Sequence, residues 1–373
     1  MGDYITVNKI KNKENNHFIP YSISNKWGFI PQEKQFGEGN TYSKTNKATN
    51  YIVEPNTFAY NPARINVGSI AYQNNQFPVI VSSLYEIFKA KKNLNDEFLM
   101  NWFKTEKFTR QIQKLQEGGV RQYFFIDKMQ ESRITIPFIS EQEEISKTLN
   151  QISNLIKLQQ RKAQQLKLLK KAMLQDIFPN TQGIRQIKLS NNIWVEKRMV
   201  DIFKEKNIRS KNGELLSVSI SKGIYPFSNS ERKNNSSTNK SNYKKVTPGD
   251  IAYNSMRMWQ GALGVSKYNG IVSPAYTVMA TKEKENPLFY YYYFKNTRMM
   301  FSFRQHSQGL TSDTWNLKFP LLKKIAIQIP INKNEEEKII KLFESIDIAI
   351  TSIELKIEKL KAVKQFLLQN MFI

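Results

Sequence analysis

Apolar residues recur at alternating steps of four and three in two long stretches of the chain. The first ladder runs through Ile145, Leu149, Ile152, Ile156, Gln159, Ala163, Leu166, Lys170, Met173 and Ile177. The second runs through Ile339, Phe343, Ile346, Ile350, Ile353, Ile357, Leu360, Lys364, Leu367 and Met371. Each rung of one lies 194 positions from its counterpart, with no insertion, and a lysine interrupts both at the same step. A mean step of 3.5 residues keeps an apolar stripe turned toward one partner helix, as in a coiled coil. About five heptads also exceed the roughly 11–12 residues of an ordinary globular helix. An amphipathic core helix would account for one short ladder; two matched long ladders predict two related coiled-coil helices, over 141–179 and 333–373.

The repetition extends upstream of the ladders. A β-type segment ending in proline precedes each one, "RITIPFIS" and "IAIQIPIN". Farther back, "FAYNPARINVGSIA" at 58–71 parallels "IAYNSMRMWQGALG" at 251–264, which matches Tyr60 and Asn61 with Tyr253 and Asn254, Arg64 with Arg257, and Gly68 with Gly261. "VSSLY" answers "VSPAY", and "YSISNKWGFIP" at 21–31 is aligned with "VSISKGIYPFS" at 218–228. Alternating apolar segments such as "GSIAY" predict strands. "NDEFLMNWFKTEKFTRQIQKL" and "NPLFYYYYFKNTRMMFSF" each predict a helix with an aromatic face. The class is α+β: two pseudo-repeated α+β domains, 1–140 and 194–332, with the two long helices between and after them and a polar connector at 180–193. Units of this length exceed solenoid periods and mark a duplication.

Charge narrows the partner. There are 56 Lys plus Arg against 32 Asp plus Glu, a formal net charge of +24. A lysine-rich solvated surface is one account of it. An excess this large favours a polyanion, because each phosphate neutralised releases condensed counterions. No cysteine is present, which excludes disulfides, thiol nucleophiles and thiolate metal sites. No run approaches the roughly 18 apolar residues of a membrane span, and "MGDYITVNKIKNKENN" has no signal-peptide core. A soluble, cytoplasmic protein with no membrane partner is expected.

Residues able to carry chemistry are few. His17 and His306 stand in unmatched places without a metal-ligand partner at useful spacing, so they are expected to be surface or locally bonded histidines. Neither a "GxxxxGK[ST]" phosphate loop nor a "GxGxxG" is present. "NPAR" at 61–64 lacks the second proline and aromatic of an amino-methyltransferase box, and its repeat partner reads "NSMR". No catalytic residue and no metal site is expected.

The ordered duplicate of recognition-type domain, "IxIP" strand, acidic helix start ("SEQEEISKTLNQI", "NKNEEEKIIKLFESID") and long helix ending in "LLKKAMLQDIF" resembles the DNA-specificity subunit of type I restriction-modification systems. The resemblance covers nearly the whole chain. It implies two target-recognition domains, each reading one half of a split site in double-stranded DNA, and two helices that pair antiparallel as a spacer. It implies a non-catalytic subunit that docks two adenine-methylating subunits and, in the full complex, restriction/translocase subunits. S-adenosylmethionine, ATP and Mg would belong to those partners, and methyl transfer to a flipped adenine would occur in their pocket. One departure is that "NNIWVEKRMVDIF" opens the second copy with no counterpart before the first, so the first domain is expected to be shortened at its start.

Two other readings stay open: a self-dimerising coiled-coil DNA-binding protein without enzymatic partners, and the detached recognition half of a fused restriction-methylation enzyme. Candidate DNA contacts are Ser24, Asn25, Lys26, Tyr60, Asn61, Arg64, Gln73 and Arg121 in the first copy. In the second they are Ser221, Lys222, Tyr253, Asn254, Arg257, Trp259, Gln260, Arg304, Gln305 and Gln308. Arg and Lys suit guanine edges or phosphates, while Asn and Gln can bond adenine edges bidentately. Matched residues such as Tyr60 and Tyr253 could equally be scaffold, and the divergent loops "QEGGVRQYF" and "RQHSQGLTSDTW" are the better places for direct readout. Ladder residues Ile145, Leu149, Ile152, Ile156, Leu166, Met173, Ile339, Phe343, Ile346, Ile350, Ile357, Leu360 and Leu367 are expected to pack between the helices.

Overall fold

Strand alternation explains the layering of each copy. A computed structural model describes residues 1–37, 47–119, 122–180, 183–230, 233–234, 236–282 and 285–372. It divides into two compact units, Met1–Gln160 with Leu355–Ile373, and Arg161–Glu354. In the first, an antiparallel sheet has the order Ile5–Val7, Glu86–Ala90, Thr57–Tyr60, Ile70–Gln73. Phe58, Tyr60 and Phe88 point to one face, where Phe58 and Phe88 stack at 5.1 Å and pack with Phe98, Phe103 and Phe108 of the helical layer. The intervening Ala59, Ala71 and Ile87 point the other way, against Tyr21, Ile23 and Val79. Both faces of this sheet are therefore covered. Each fully buried large apolar side chain contributes roughly 1.5–3 kcal/mol.

The second unit repeats the arrangement. Its sheet has the order Phe203–Glu205, Tyr276–Thr281, Ile251–Asn254, Leu263–Val265. Ile251, Tyr253 and Met279 enter the aromatic core with Phe289, Tyr290 and Phe294, and Ala252 and Val278 face a smaller cluster with Val218 and Val272.

The aromatic runs form two helices per copy where the pattern predicts one. They are Asp96–Trp102 with Glu106–Leu115, and Pro287–Phe294 with Thr297–Gln305. A new N-cap intervenes each time: Thr105 Oγ1 accepts from Phe108 N, and Asn296 Oδ1 accepts from Arg298 N. The proline-ended segments also part company. Ala326–Pro330 is a strand paired with Trp194–Arg198, whereas 134–137 forms no strand. Strand pairing needs a second chain segment, which Trp194–Arg198 supplies in the second copy.

The long helices are Ile139–Asp176 and Lys333–Asn370, 38 residues each. Every ladder position among the described residues is buried or half-buried. In the first unit Ile145 and Leu149 share a core with Leu367, Leu368, Met371 and Phe372. In the second, Lys167 pairs with Glu354 at 2.6 Å and Lys170 with Asp347 at 2.5 Å. Rising numbers on one helix meet falling numbers on the other, so the packing within each unit is antiparallel. Residues 139–160 and 355–370 of the long helices belong to the first unit, and 161–176 and 333–354 to the second. The connector is pinned rather than loose: Ile187 N donates to Asp176 O, and the buried Arg185 pairs with the buried Glu335, which also accepts from Trp194 Nε1 at 3.3 Å. No helix is long and apolar enough to cross a membrane among the described residues.

Candidate nucleic-acid interface

Three loops recur in each copy, the third docked on the second by a matched backbone bond and the first held by side-chain bonds. The first is a hairpin, Tyr21–Ser24 with Gly28–Pro31 in one copy and Glu214–Ser219 with Gly223–Pro226 in the other. Its register pairs Ser24 with Gly28 and Ser219 with Gly223, so residue 24 answers residue 219. The alignment of 21–31 with 218–228 is thereby corrected by two positions, because hairpin pairing overrides the superficial match of "SIS". Ser24 Oγ and Ser219 Oγ both accept a backbone N–H at the tip, from Lys26 and Lys222 respectively.

The second loop is the single-turn helix Ile65–Val67 or Met258–Gln260. Asn61 Oδ1 accepts from Ala63 N and Asn254 Oδ1 from Met256 N, both at 3.0 Å, which fixes the turn before it. Gly68 and Gly261 close it in the left-handed region, at φ 84° and 81°, where a Cβ would be strained. Arg64 and Arg257 stand exposed at its start.

The third loop is a small hairpin closed by Glu117 with Tyr123, or by Gln308 with Asn316. A glycine with positive φ follows the first closing residue in each, Gly118 at 112° and Gly309 at 145°. The residue after the second closing residue docks this hairpin on the turn. Phe124 N donates to Pro62 O at 3.0 Å, and Leu317 N donates to Ser255 O at 2.8 Å. The first hairpin is held to the turn as well, by Ser69 Oγ donating to Ile23 O in the first copy. In the second copy Lys295 Nζ donates to both Ile220 O and Gly261 O. Burial and the nearby charge of Lys170 push the Lys295 ammonium down to about 8.

The family model described as "Type I restriction modification DNA specificity domain" matches residues 1–168 and again 191–362. The chain belongs to that family. The specificity-domain fold is also seen in solved structures that this chain resembles. The HsdS subunit of Thermoanaerobacter tengcongensis is 13% identical with a TM-score of 0.53, over 100% of this chain and 95% of that one. The type I restriction-modification S subunit of M. genitalium is 14% identical with a TM-score of 0.56, over 100% and 94%. A chain from a structure on complex assembly and conformational transition of the type I R-M system is 12% identical with a TM-score of 0.59, over 100% and 96%. A search of curated proteins returns no match.

Within this specificity-domain framework, the candidate contacts fall into three groups. Tyr60, Tyr253 and Gln73 are corrections, since all three are fully buried. Burial, with the charges of Glu86 and Asp127, pushes the Tyr60 phenol well up, and its hydroxyl has no hydrogen-bond partner among the described residues. Gln73 is consumed in its own turn, donating to Phe77 O and accepting from Asn75 N. Repeated Tyr–Asn therefore marks scaffold: the tyrosines fill the cores and Asn61 and Asn254 bend the chain.

The second group stays at the surface. Ser24, Asn25, Asn61 and Arg64 line one small cleft. Lys26 Nζ lies over Trp27 and Lys222 Nζ over Tyr225, at 4.8 and 5.4 Å, with Ser221 exposed beside Lys222. Arg257 Nη1 donates to Gln260 Oε1 at 3.2 Å. Arg304 lies 4.8 Å over Trp315, whose ring meets that of Trp259 at 5.2 Å. Gln305 and Gln308 are exposed nearby. Arg121 lies outside the described residues. His306 Nδ1 is 2.8 Å from Ser302 O, and His17 is exposed. No group of three His, Cys, Asp or Glu able to hold a metal occurs among the described residues.

In the third group Gln122, Tyr123 and Trp315 lie in the two divergent loops expected to carry direct readout, and Asn66 and Phe125 join them from outside those loops. Asn66, Gln122, Tyr123 and Phe125 border an open cavity of about 850 Å³ in the first copy, and Trp315 occupies the corresponding hairpin in the second. The available signal was a matched position at which the residue types differ, which only hairpin register makes visible across loops of unequal length.

Proposed function

We propose that this chain is the sequence-specific DNA-binding subunit of a type I restriction-modification enzyme, each domain reading one half of a bipartite site. The observation that carries it is the duplicated surface of turn and hairpins, with exposed Arg64, Arg257 and Arg304, on a family member of net charge +24. Cationic side chains bring the duplex, and divergent loops on a common scaffold give each domain its own base contacts.

The long helices set the spacing of the two half-sites and dock two methyltransferase subunits. Off their packing ladders they expose Leu158, Leu355, Val363 and Phe366 in the first unit, and Leu168, Leu169 and Ile348 in the second. Apolar side chains in such number on a helical surface suit a protein partner. S-adenosylmethionine, ATP and Mg act in the partner subunits, restriction/translocase subunits included, and this chain supplies the address.

Co-expression with methyltransferase subunits of a type I system from the same cell, followed by methylome sequencing, tests the reading. A split methylated motif that disappears when this chain is omitted is expected. Methyl incorporation or cleavage by the purified chain alone, given DNA and labelled methyl donor, would overturn it.

A further inference from the structure

The two copies share a scaffold at their turn and small hairpin and then differ at two positions. Turn register matches Asn66 with Trp259, two residues after Arg64 and Arg257 and two before the left-handed Gly68 and Gly261. Hairpin closure matches Gln122 with Trp315, each immediately before the second closing residue. In the first copy both positions carry amides that border the cavity of about 850 Å³, together with Ser83 and the buried Glu86. Glu86 is paired with Lys9 at 2.5 Å, so its charge there is balanced. Tyr123 and Phe125 stack at 5.4 Å along the rim, with planes 4° apart. In the second copy both positions carry indoles, packed edge to face at 73°, and Arg304 rests on Trp315.

We propose that these two positions determine specificity in each domain: Asn66 and Gln122 hold an adenine edge of the first half-site, and Trp259 and Trp315 buttress Arg304 against a guanine edge of the second. This rests on the specificity-subunit reading. Asn and Gln amides offer the donor–acceptor pair that adenine N7 and N6 require, and Glu86 adds an acceptor suited to an exocyclic amine and unsuited to the N7 and O6 acceptors of guanine. An arginine stacked on an indole loses little further freedom on binding, and its fork matches guanine O6 and N7. The hairpin tip that frames the second pair is stiff. Thr314 Oγ1 accepts from Thr311 N and donates to Thr311 O, and a Cβ on Gly309 would lie 2.6 Å from the Thr314 carbonyl carbon.

The test uses the full chain with its methyltransferase subunits, read by methylome sequencing and by binding to cognate and single-position variant duplexes. Asn66→Ala with Gln122→Ala should relax one A·T position in the first half only and weaken cognate binding about 5- to 150-fold, the value of one bidentate contact. Arg304→Ala should relax one G·C position in the second half only. Arg304→Lys should not restore it, and Trp315→Ala should reproduce it. Asn66, Gln122 and Arg304 are exposed and lie outside the core, and Trp315 is half-buried, so assembly with the partner subunits serves as the folding control for every variant. An unchanged motif in assembled variants, or a uniform loss across all sequences with a shallower salt dependence, overturns the assignment while leaving the subunit reading in place. Absence of any split motif in the wild-type complex overturns both.

Discussion

Tyr60 shows how a residue can look like a reader and serve as scaffold. Its ring lies across Phe88 at 6.3 Å in the aromatic core, and its hydroxyl is carried inside without a partner among the described residues. A buried unpaired hydroxyl costs roughly 1–3 kcal/mol. Tyr60→Phe should therefore raise stability by about 1 kcal/mol, measured by urea unfolding, and leave DNA binding unchanged. Weaker binding would return Tyr60 to the interface. Lys295 carries a pH signature. Its folded value of about 8 lies below the ordinary 10.5, so the folded state binds fewer protons than the unfolded chain between those limits. Stability contributed by this group should rise as pH rises from 8 to 10.5, by on the order of 1 kcal/mol. Lys295→Met should remove that slope, seen by comparing denaturation midpoints of the two proteins at pH 8 and 10.

At the scale of elements, caps and buried pairs decide where segments begin and how they are held. Glu335 near the start of the second long helix accepts from Arg185 and Trp194, and Arg185 also lies 4.5 Å over the Trp194 ring. One carboxylate thus ties the connector and the strand Trp194–Arg198 to the helix. Glu335→Ala leaves the Arg185 guanidinium buried and unpaired, and should cost about 3–5 kcal/mol in thermal or urea unfolding. An effect below about 1 kcal/mol would mean that Arg185 escapes to solvent. The helix ladders were legible because a 3.5-residue period persists for five heptads. The break between Asp96–Trp102 and Glu106–Leu115 was not, since the Thr105 cap lies inside a continuous helix-like pattern. Ile145→Cys with Met371→Cys should crosslink within one chain, as both residues pack in one core. A product formed only between chains, read on a denaturing gel, would refute the antiparallel packing.

Modularity is the property of the molecule as a whole. Each copy has its own two-sided sheet, helical layer and loop cluster, so the base contacts proposed for it depend on few residues outside it. Replacing residues 194–332 with the matching domain of another family member should change one half of the methylated motif and preserve the other. A motif altered in both halves would show that the copies read jointly. Inserting one heptad in the first long helix adds about 10 Å at 1.5 Å per residue, or about three base pairs at 3.4 Å each. A longer unread gap, or failed assembly, is the expected methylome outcome.

By itself the sequence determined the duplication, the two long helices, the α+β class and a polyanion as the partner to consider. Those properties are carried by periodicity, residue-for-residue offset and summed charge, which survive without coordinates. Tertiary structure decided which of the repeated residues face water. Tyr60 and Asn66 lie six positions apart in one motif, yet strand alternation buries the first and the turn exposes the second. It also decided which residues of unequal loops correspond. Gln122 and Trp315 match only through hairpin closure, because backbone pairing, and not chain length, fixes where a side chain stands.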